Sequence, residues 1–158
     1  AEIIKKDSDI MLFTNYGKAI RFFSSEIKCT SRLSMGVKGI KLNFLHFVIS
    51  LVIIICSGEI LLATSNGFGK RTDITEFKTV SRGGNGIIAI RITKRNGLLI
   101  GATQVLHNDV ILISCQGLLV RINSDEISKI KRNTQGIKLI NLISGEKLVA
   151  IKYIDNIV

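Results

Sequence analysis

The stretch Ile60-Leu61-Leu62-Ala63-Thr64-Ser65-Asn66-Gly67-Phe68-Gly69-Lys70-Arg71-Thr72 decides the fold. A short apolar run meets Asn66-Gly67, and a second run starts at Phe68. Asn-Gly between two such runs is a strong hairpin signal, because both residues tolerate positive φ. The same grammar stands fifty residues earlier as Ile10–Thr14, Asn15-Tyr16-Gly17 and Lys18–Phe22. It recurs fifty residues later as Val110–Ser114, Gln116-Gly117 and Leu118–Ile122. Whole columns keep the step: Asp9, Glu59 and Asp109; Leu12, Leu62 and Leu112; Gly17, Gly67 and Gly117. So do Arg21, Arg71 and Arg121, then Glu26, Glu76 and Glu126, then Arg32, Arg82 and Arg132. A period of this length means stacked or radially arranged units.

Each unit continues past its hairpin. Gly39-Ile40-Lys41-Leu42, Gly86–Ile90 and Gly136–Ile140 are expected as third strands. Phe47–Ile55, Leu98–Val105 and Lys147–Tyr153 are expected as fourth strands. On this reading the first unit carries three extra residues before Gly39 and loses three afterwards. The apolar runs are short, β-branched and bounded by glycine, which argues against a helical repeat. Four strands per unit is a propeller-blade pattern. The fold class is therefore all-β, with repeat units at about 7–56, 57–106 and 107–158. The run Phe44–Cys56 is too short to span a membrane as a helix, and a buried strand pair is expected there.

Of 158 residues, 46% are apolar, which fits a domain with a packed core. Twenty-two Lys and Arg face twelve Asp and Glu, a net charge of +10, which points to a polyanionic partner. The cations divide evenly, six in 7–56, seven in 57–106 and seven in 107–158. The first six residues lack the pattern of a secretory leader. Cys29, Cys56 and Cys115 are odd in number and widely spaced, which predicts reduced, buried thiols and a cytoplasmic setting. His46 is expected in the core and His107 in a solvated turn. Two scattered histidines and no Cys-x-x-Cys predict no metal site. Gly67–Thr72 misses the spacing of a phosphate loop, and no nucleophile elbow occurs. No catalytic residue and no cofactor are expected.

Several segments together carry a family resemblance. They are Gly67-Phe68-Gly69-Lys70-Arg71-Thr72, Thr93-Lys94-Arg95-Asn96-Gly97-Leu98, Ser124-Asp125-Glu126-Ile127-Ser128 and Arg132-Asn133-Thr134-Gln135-Gly136. Ile10-Met11-Leu12-Phe13 and Gly36-Val37-Lys38-Gly39-Ile40 fit as well. In this order they closely resemble the C-terminal domain of DNA gyrase A, over about residues 7–154. The resemblance implies a β-pinwheel: about six four-stranded blades with strands exchanged between neighbours, of which this chain holds about three, the second half. It further implies a basic outer rim that wraps duplex DNA and supports supercoiling. The partners implied are duplex DNA, the remaining domains of gyrase A and the companion protein gyrase B, with no membrane. The ATPase and the DNA-cleaving tyrosine lie in other parts of that enzyme, so Tyr16 and Tyr153 are not that tyrosine. The family's Gln-Arg-Arg-Gly-Gly-Lys-Gly box is missing. The nearest segment, Ser81-Arg82-Gly83-Gly84-Asn85-Gly86, keeps one Arg and no Lys.

Rim binding of this kind is phosphate neutralisation and needs no recognition helix. The expected contacts are Lys18, Arg21, Arg32, Lys70, Arg71, Arg82, Arg121, Lys129, Lys131 and Arg132. For Arg21, Arg71 and Arg121, pairing with Glu26, Glu76 and Glu126 inside each unit is an equal alternative. Three other roles stay open: a propeller-type protein-interaction scaffold, the related C-terminal domain of topoisomerase IV, and a non-functional truncated remnant.

Overall fold

A computed structural model describes residues 3–4 and 8–154. The reading of the first six residues as no leader falls, apart from Ile3 and Ile4, outside the described residues. The chain forms eleven strands in three antiparallel sheets among the described residues. The first hairpin is β1 (Asp9–Thr14) and β2 (Lys18–Phe23), followed by β3 (Val48–Ile54). The second unit gives β4 (Glu59–Thr64), β5 (Phe68–Asp73), β6 (Ile87–Ile88) and β7 (Leu99–Val105). The third gives β8 (Asp109–Ser114), β9 (Leu119–Asn123), β10 (Ile137–Lys138) and β11 (Leu148–Tyr153). A one-turn 3-10 segment follows each hairpin, at Ser24–Glu26, Ile74–Glu76 and Ser124–Glu126.

The hairpins form as the glycine columns require. Gly17, Gly67 and Gly117 have φ of 73°, 78° and 85°, and the Gly67 N–H donates to the Thr64 carbonyl at 3.0 Å. Only the glycine enters the left-handed region; Asn66 does not. A β-branched residue there would be strained. The turn fixes the register, so Met11 lies opposite Arg21 and Leu61 opposite Arg71.

The sheets do not coincide with the sequence units. Their orders are β3-β1-β2-β6, β10-β5-β4-β7 and β11-β8-β9. The second unit gives β6 to the first sheet, and the third gives β10 to the second. The exchanged strands are only two residues long, so the expected runs Gly86–Ile90 and Gly136–Ile140 are mostly loop. The counterpart in the first unit, Gly39–Leu42, joins no sheet among the described residues. Nor does the period slip there. Gly36, with φ of 74°, stands where Gly86 (67°) and Gly136 (79°) stand, so the fifty-residue step is unbroken. Ile40, Ile90 and Ile140 are all buried on that register.

Three other expectations are corrected. Phe44–Cys56 is not a buried strand pair but one strand, β3, on a sheet edge, with Phe44, Leu45, Phe47 and Ile55 exposed. Cys29, Cys56 and Cys115 are exposed, because the sheets bury mainly aliphatic and aromatic residues and leave these three in turns and loops. His46 is half-buried rather than in the core, and stacks on Tyr16 with ring centroids 4.2 Å apart. His107 is exposed as expected, with φ of 58°. No helix among the described residues is long and apolar enough to cross a membrane.

The largest apolar cluster straddles the first two blades. It joins Met11, Phe13, Ala19 and Val52 to Ile60, Leu62, Ile74, Phe77 and Ile90. Phe77, just past the second 3-10 turn, meets Phe13 edge to face at 6.3 Å. A second junction packs Leu61 against Val105, Val110 and Ile127.

Candidate nucleic-acid interface

The ten expected contact residues separate into two populations once the blades are assembled. The first is spent within the protein. Hairpin register puts Asp9 two positions from the residue opposite Arg21, on the same face, and the pattern repeats in the other units. The Arg21 Nε donates to Asp9 Oδ2 at 2.7 Å, and its Nη1 donates to the carbonyls of Ile74 and Phe77, both at 3.1 Å. Arg71 pairs with Glu59 at 2.7 Å and Asp125 at 3.0 Å, and donates to the Ile127 carbonyl at 2.7 Å. Arg121 pairs with Asp109, its Nε donating at 2.7 Å. The carboxylates on this column are thus Asp9, Glu59 and Asp109, not Glu26, Glu76 and Glu126. The five-residue spacing places those glutamates in or beside the 3-10 turn, away from their own hairpin arginine.

Arg82 and Arg132 tie blades together from the other side. Arg82 Nη1 donates to the Lys38 carbonyl at 3.0 Å and its Nε to the Glu26 carbonyl at 3.0 Å. Arg132 Nη1 donates to the Ile88 carbonyl at 2.8 Å. Lys129 bridges Asp73 at 2.8 Å and Glu59 at 3.0 Å, which holds the Asp73 carboxyl down to about 2. Lys70, expected on the rim, is fully buried. Its Nζ donates to the carbonyls of Lys131 at 2.7 Å and Arg132 at 2.5 Å. Burial pushes its ammonium down to about 7, while the Glu76 carboxylate pulls the other way.

The second population is free. Lys18, Arg32 and Lys131 make no side-chain hydrogen bond or ion pair among the described residues. The same holds for Lys78, Lys94 and Lys138, which sequence reasoning did not select. Five of these six are exposed, and Lys18 is partly so. The exchanged strands bring several together. Lys138 lies opposite Phe68 on the outermost strand of the second sheet, and opposite residues share a sheet face. The Arg95 guanidinium sits 5.0 Å over the same Phe68 ring, next to Lys94 in sequence. Lys18 lies opposite Ile88, whose carbonyl holds Arg132. Because Asp9, Glu59, Asp73, Asp109 and Asp125 are consumed by spent cations, these free cations are left unneutralised, as are the exposed Lys28, Lys38, Lys41 and Lys152. The Gly83 N–H donates to the Gly39 carbonyl at 2.6 Å.

One signal could have flagged the junction arginines, though not Lys70 or Lys129, which recur in no full column. A cation that recurs in every unit meets a demand present in every unit, and the blade junction is such a demand. Lys94, Arg95 and Lys138 belong to no full column.

Antiparallel sheets, strand exchange between consecutive units and arginine-tied junctions define a propeller-like repeat domain of the β-pinwheel type. The family described as DNA gyrase C-terminal domain, beta-propeller, matches residues 8–54, 58–105 and 108–155, and the chain belongs to it. This family is a non-catalytic C-terminal region of type IIA topoisomerases. Solved structures agree on the fold. The chain superposes on a DNA gyrase A C-terminal domain with a TM-score of 0.88 at 24% identity, covering 95% of this chain and 52% of that one. For a DNA topoisomerase IV C-terminal domain the values are 0.90 and 22%, covering 97% and 48%. The E. coli ParC C-terminal domain gives 0.73 and 14%, covering 95% and 63%. The chain thus spans about half of the first two domains. No curated protein matches it in sequence.

Proposed function

We propose that this chain binds duplex DNA without regard to sequence, through phosphate contacts on the outer edges of its blades. One observation carries the reading: Arg21, Arg71, Arg121 and Lys129 take up Asp9, Glu59, Asp73, Asp109 and Asp125, so the free cations on the exchanged outer strands and adjoining loops are left unneutralised. The contact set is Lys18, Lys78, Lys94, Arg95, Lys131 and Lys138, with the remaining donors of Arg132. Arg32, exposed and without a partner among the described residues, adds charge in the first unit, whereas Arg121, though largely exposed, is paired with Asp109. Arg21, Lys70, Arg71, Arg82 and Lys129 act from behind, holding the blades in line. Bending a duplex over such an edge costs a few kcal/mol, so many weak contacts spread along the curve suit the task. Family membership supports the wider setting. In a gyrase A-type protein this domain wraps DNA for ATP-dependent supercoiling, with gyrase B and the other gyrase A domains as partners. Those domains carry the catalytic residues.

The test is a salt titration of binding to a duplex of about 30 base pairs, read by fluorescence anisotropy. Log K falls linearly with log salt, and a scrambled duplex binds equally. Lys131→Ala combined with Lys138→Ala lowers the slope by up to about two units, since neither side chain holds the fold. An affinity insensitive to salt would overturn the proposal.

A further inference from the structure

Lys70 is spent on a loop rather than on a carboxylate. It stands in a column that holds Ile20 and Val120, and it is fully buried. Its Nζ donates to the carbonyls of Lys131 at 2.7 Å and Arg132 at 2.5 Å. Two positions along β5, the Thr72 hydroxyl donates to the Ile130 carbonyl at 2.9 Å. Three consecutive carbonyls of the third unit are thus drawn in toward one strand of the second. A trans peptide is planar, so each C=O and the N–H that follows it point in opposite directions. With the Lys131 and Arg132 carbonyls turned in to one ammonium, the N–H groups of Arg132 and Asn133 face the other way, side by side. Neither donates a hydrogen bond among the described residues. Successive N–H groups aimed to one side make an anion-binding concavity. The exposed, unpaired Lys131 side chain stands beside them.

The first junction shows what this position accepts. Fifty residues earlier, the Arg82 N–H donates to the Glu26 carboxylate, Oε2 at 3.0 Å, and the Gly83 N–H is taken by the Gly39 carbonyl. The column residue there is Ile20, which brings no ammonium. At the second junction the counterpart of Glu26 is Glu76, which makes no hydrogen bond or ion pair among the described residues. Its charge acts on Lys70 instead. An anionic oxygen therefore sits on this amide in one junction, while the same amide is unclaimed in the other.

We infer that Lys70 is a positioning residue for a DNA-phosphate site, in which the N–H groups of Arg132 and Asn133 and the Lys131 side chain hold one phosphate of the duplex. The inference rests on the duplex-binding reading above and adds to it a pair of backbone donors and the residue that aims them. Lys70 acts through the loop and touches no phosphate, because it lies buried behind the two carbonyls. Without its ammonium the two peptide planes lose the partner that fixes them. Lys131 is then no longer anchored where its charge meets the phosphate that the amides hold.

The test follows backbone amide resonances of the isotope-labelled chain as the duplex is added. In the wild type the Arg132 and Asn133 amides shift on binding. In Lys70→Met they stay still, while the Lys94 amide shifts in both proteins. Lys70→Ile, which copies the first unit's residue in this column, behaves as Lys70→Met does. A salt titration separates positioning from a general loosening of the junction. Lys131→Ala lowers the slope of log K against log salt by about one unit in the wild type and leaves it unchanged in the Lys70→Met background. Lys94→Ala lowers it equally in both. Wild-type Arg132 and Asn133 amides that stay still while Lys94 responds overturn the inference and leave the duplex-binding reading standing. An equal loss from Lys131→Ala in both backgrounds also overturns it. An affinity insensitive to salt overturns both.

Discussion

Lys70 shows how one residue type divides between structure and surface. Its column holds Ile20 in the first unit and Val120 in the third, so the position is an apolar one that a lysine has entered. Its ammonium survives there by capping the carbonyls of Lys131 and Arg132 at the second junction. Burial lowers it from an ordinary 10.5 to about 7, with Glu76 opposing and Arg132 adding to the fall. The unfolded chain keeps that proton up to about 10.5, and the folded chain releases it near 7. Stability therefore rises with pH across that window, and the full cost of burying the charge is present below 7. The expected result is a rise in urea midpoint between about pH 7 and 10 that is smaller in Lys70→Met, compared pH by pH. Asp73 acts in a separate window. Its carboxyl is held near 2 by the hydrogen bond from Lys129, so its contribution is present above about 4 and fades as pH falls toward 2.

At the scale of the element, the deciding feature is the exchanged strand. Gly136 precedes β10 in the left-handed region, at 79°. A Cβ there would stand 2.6 Å from the Gly69 carbonyl, which is backbone of the strand that β10 must join. Gly136→Ala should therefore cost about 2–4 kcal/mol, the sum of left-handed strain and a displaced strand, measured by urea unfolding. The hairpins are legible in sequence because turn chemistry and β-branched runs are local signals, and Gly17, Gly67 and Gly117 all take the conformation that their spacing demands. The strands β6 and β10 fall inside the expected runs Gly86–Ile90 and Gly136–Ile140, but their brevity and pairing are not legible locally, because two residues show no periodicity and their partners lie in another unit. The apparent slip at Gly39 has the same origin: the motif Gly-Ile-Lys-Leu matches at Gly39 by residue type, while the backbone needs its left-handed glycine at Gly36. Phe44–Cys56 misleads for a different reason. Apolar content suggests burial, yet β3 is a sheet edge whose outward face meets no blade among the described residues.

Over the whole molecule, the cation columns tell the same story at longer range. Their recurrence is plain in sequence, but their partners are set by register inside each hairpin and by carbonyls in the next blade, neither of which composition reveals. What remains is an array in which neither of the first two sheets can be completed by its own unit. In a simple repeat array each unit contributes its own stability plus a nearest-neighbour term. Here the neighbour term includes a shared strand, the Phe13–Phe77 contact and the Arg21 and Arg71 bridges. Loss of one blade leaves β-edges unpaired and buried apolar groups such as Phe77 and Ile127 uncovered, so partly unfolded arrays are penalised. The chain should therefore unfold in one transition. It contains no Trp, so single reporters can be placed at Tyr16→Trp in the first blade and Val149→Trp in the third, both at exposed positions. Urea midpoints from the two fluorescence signals are expected to coincide with each other and with circular dichroism at equal protein concentration. Midpoints that separate by blade would mean that the neighbour term, shared strands and arginine bridges together, is small beside each blade's own stability.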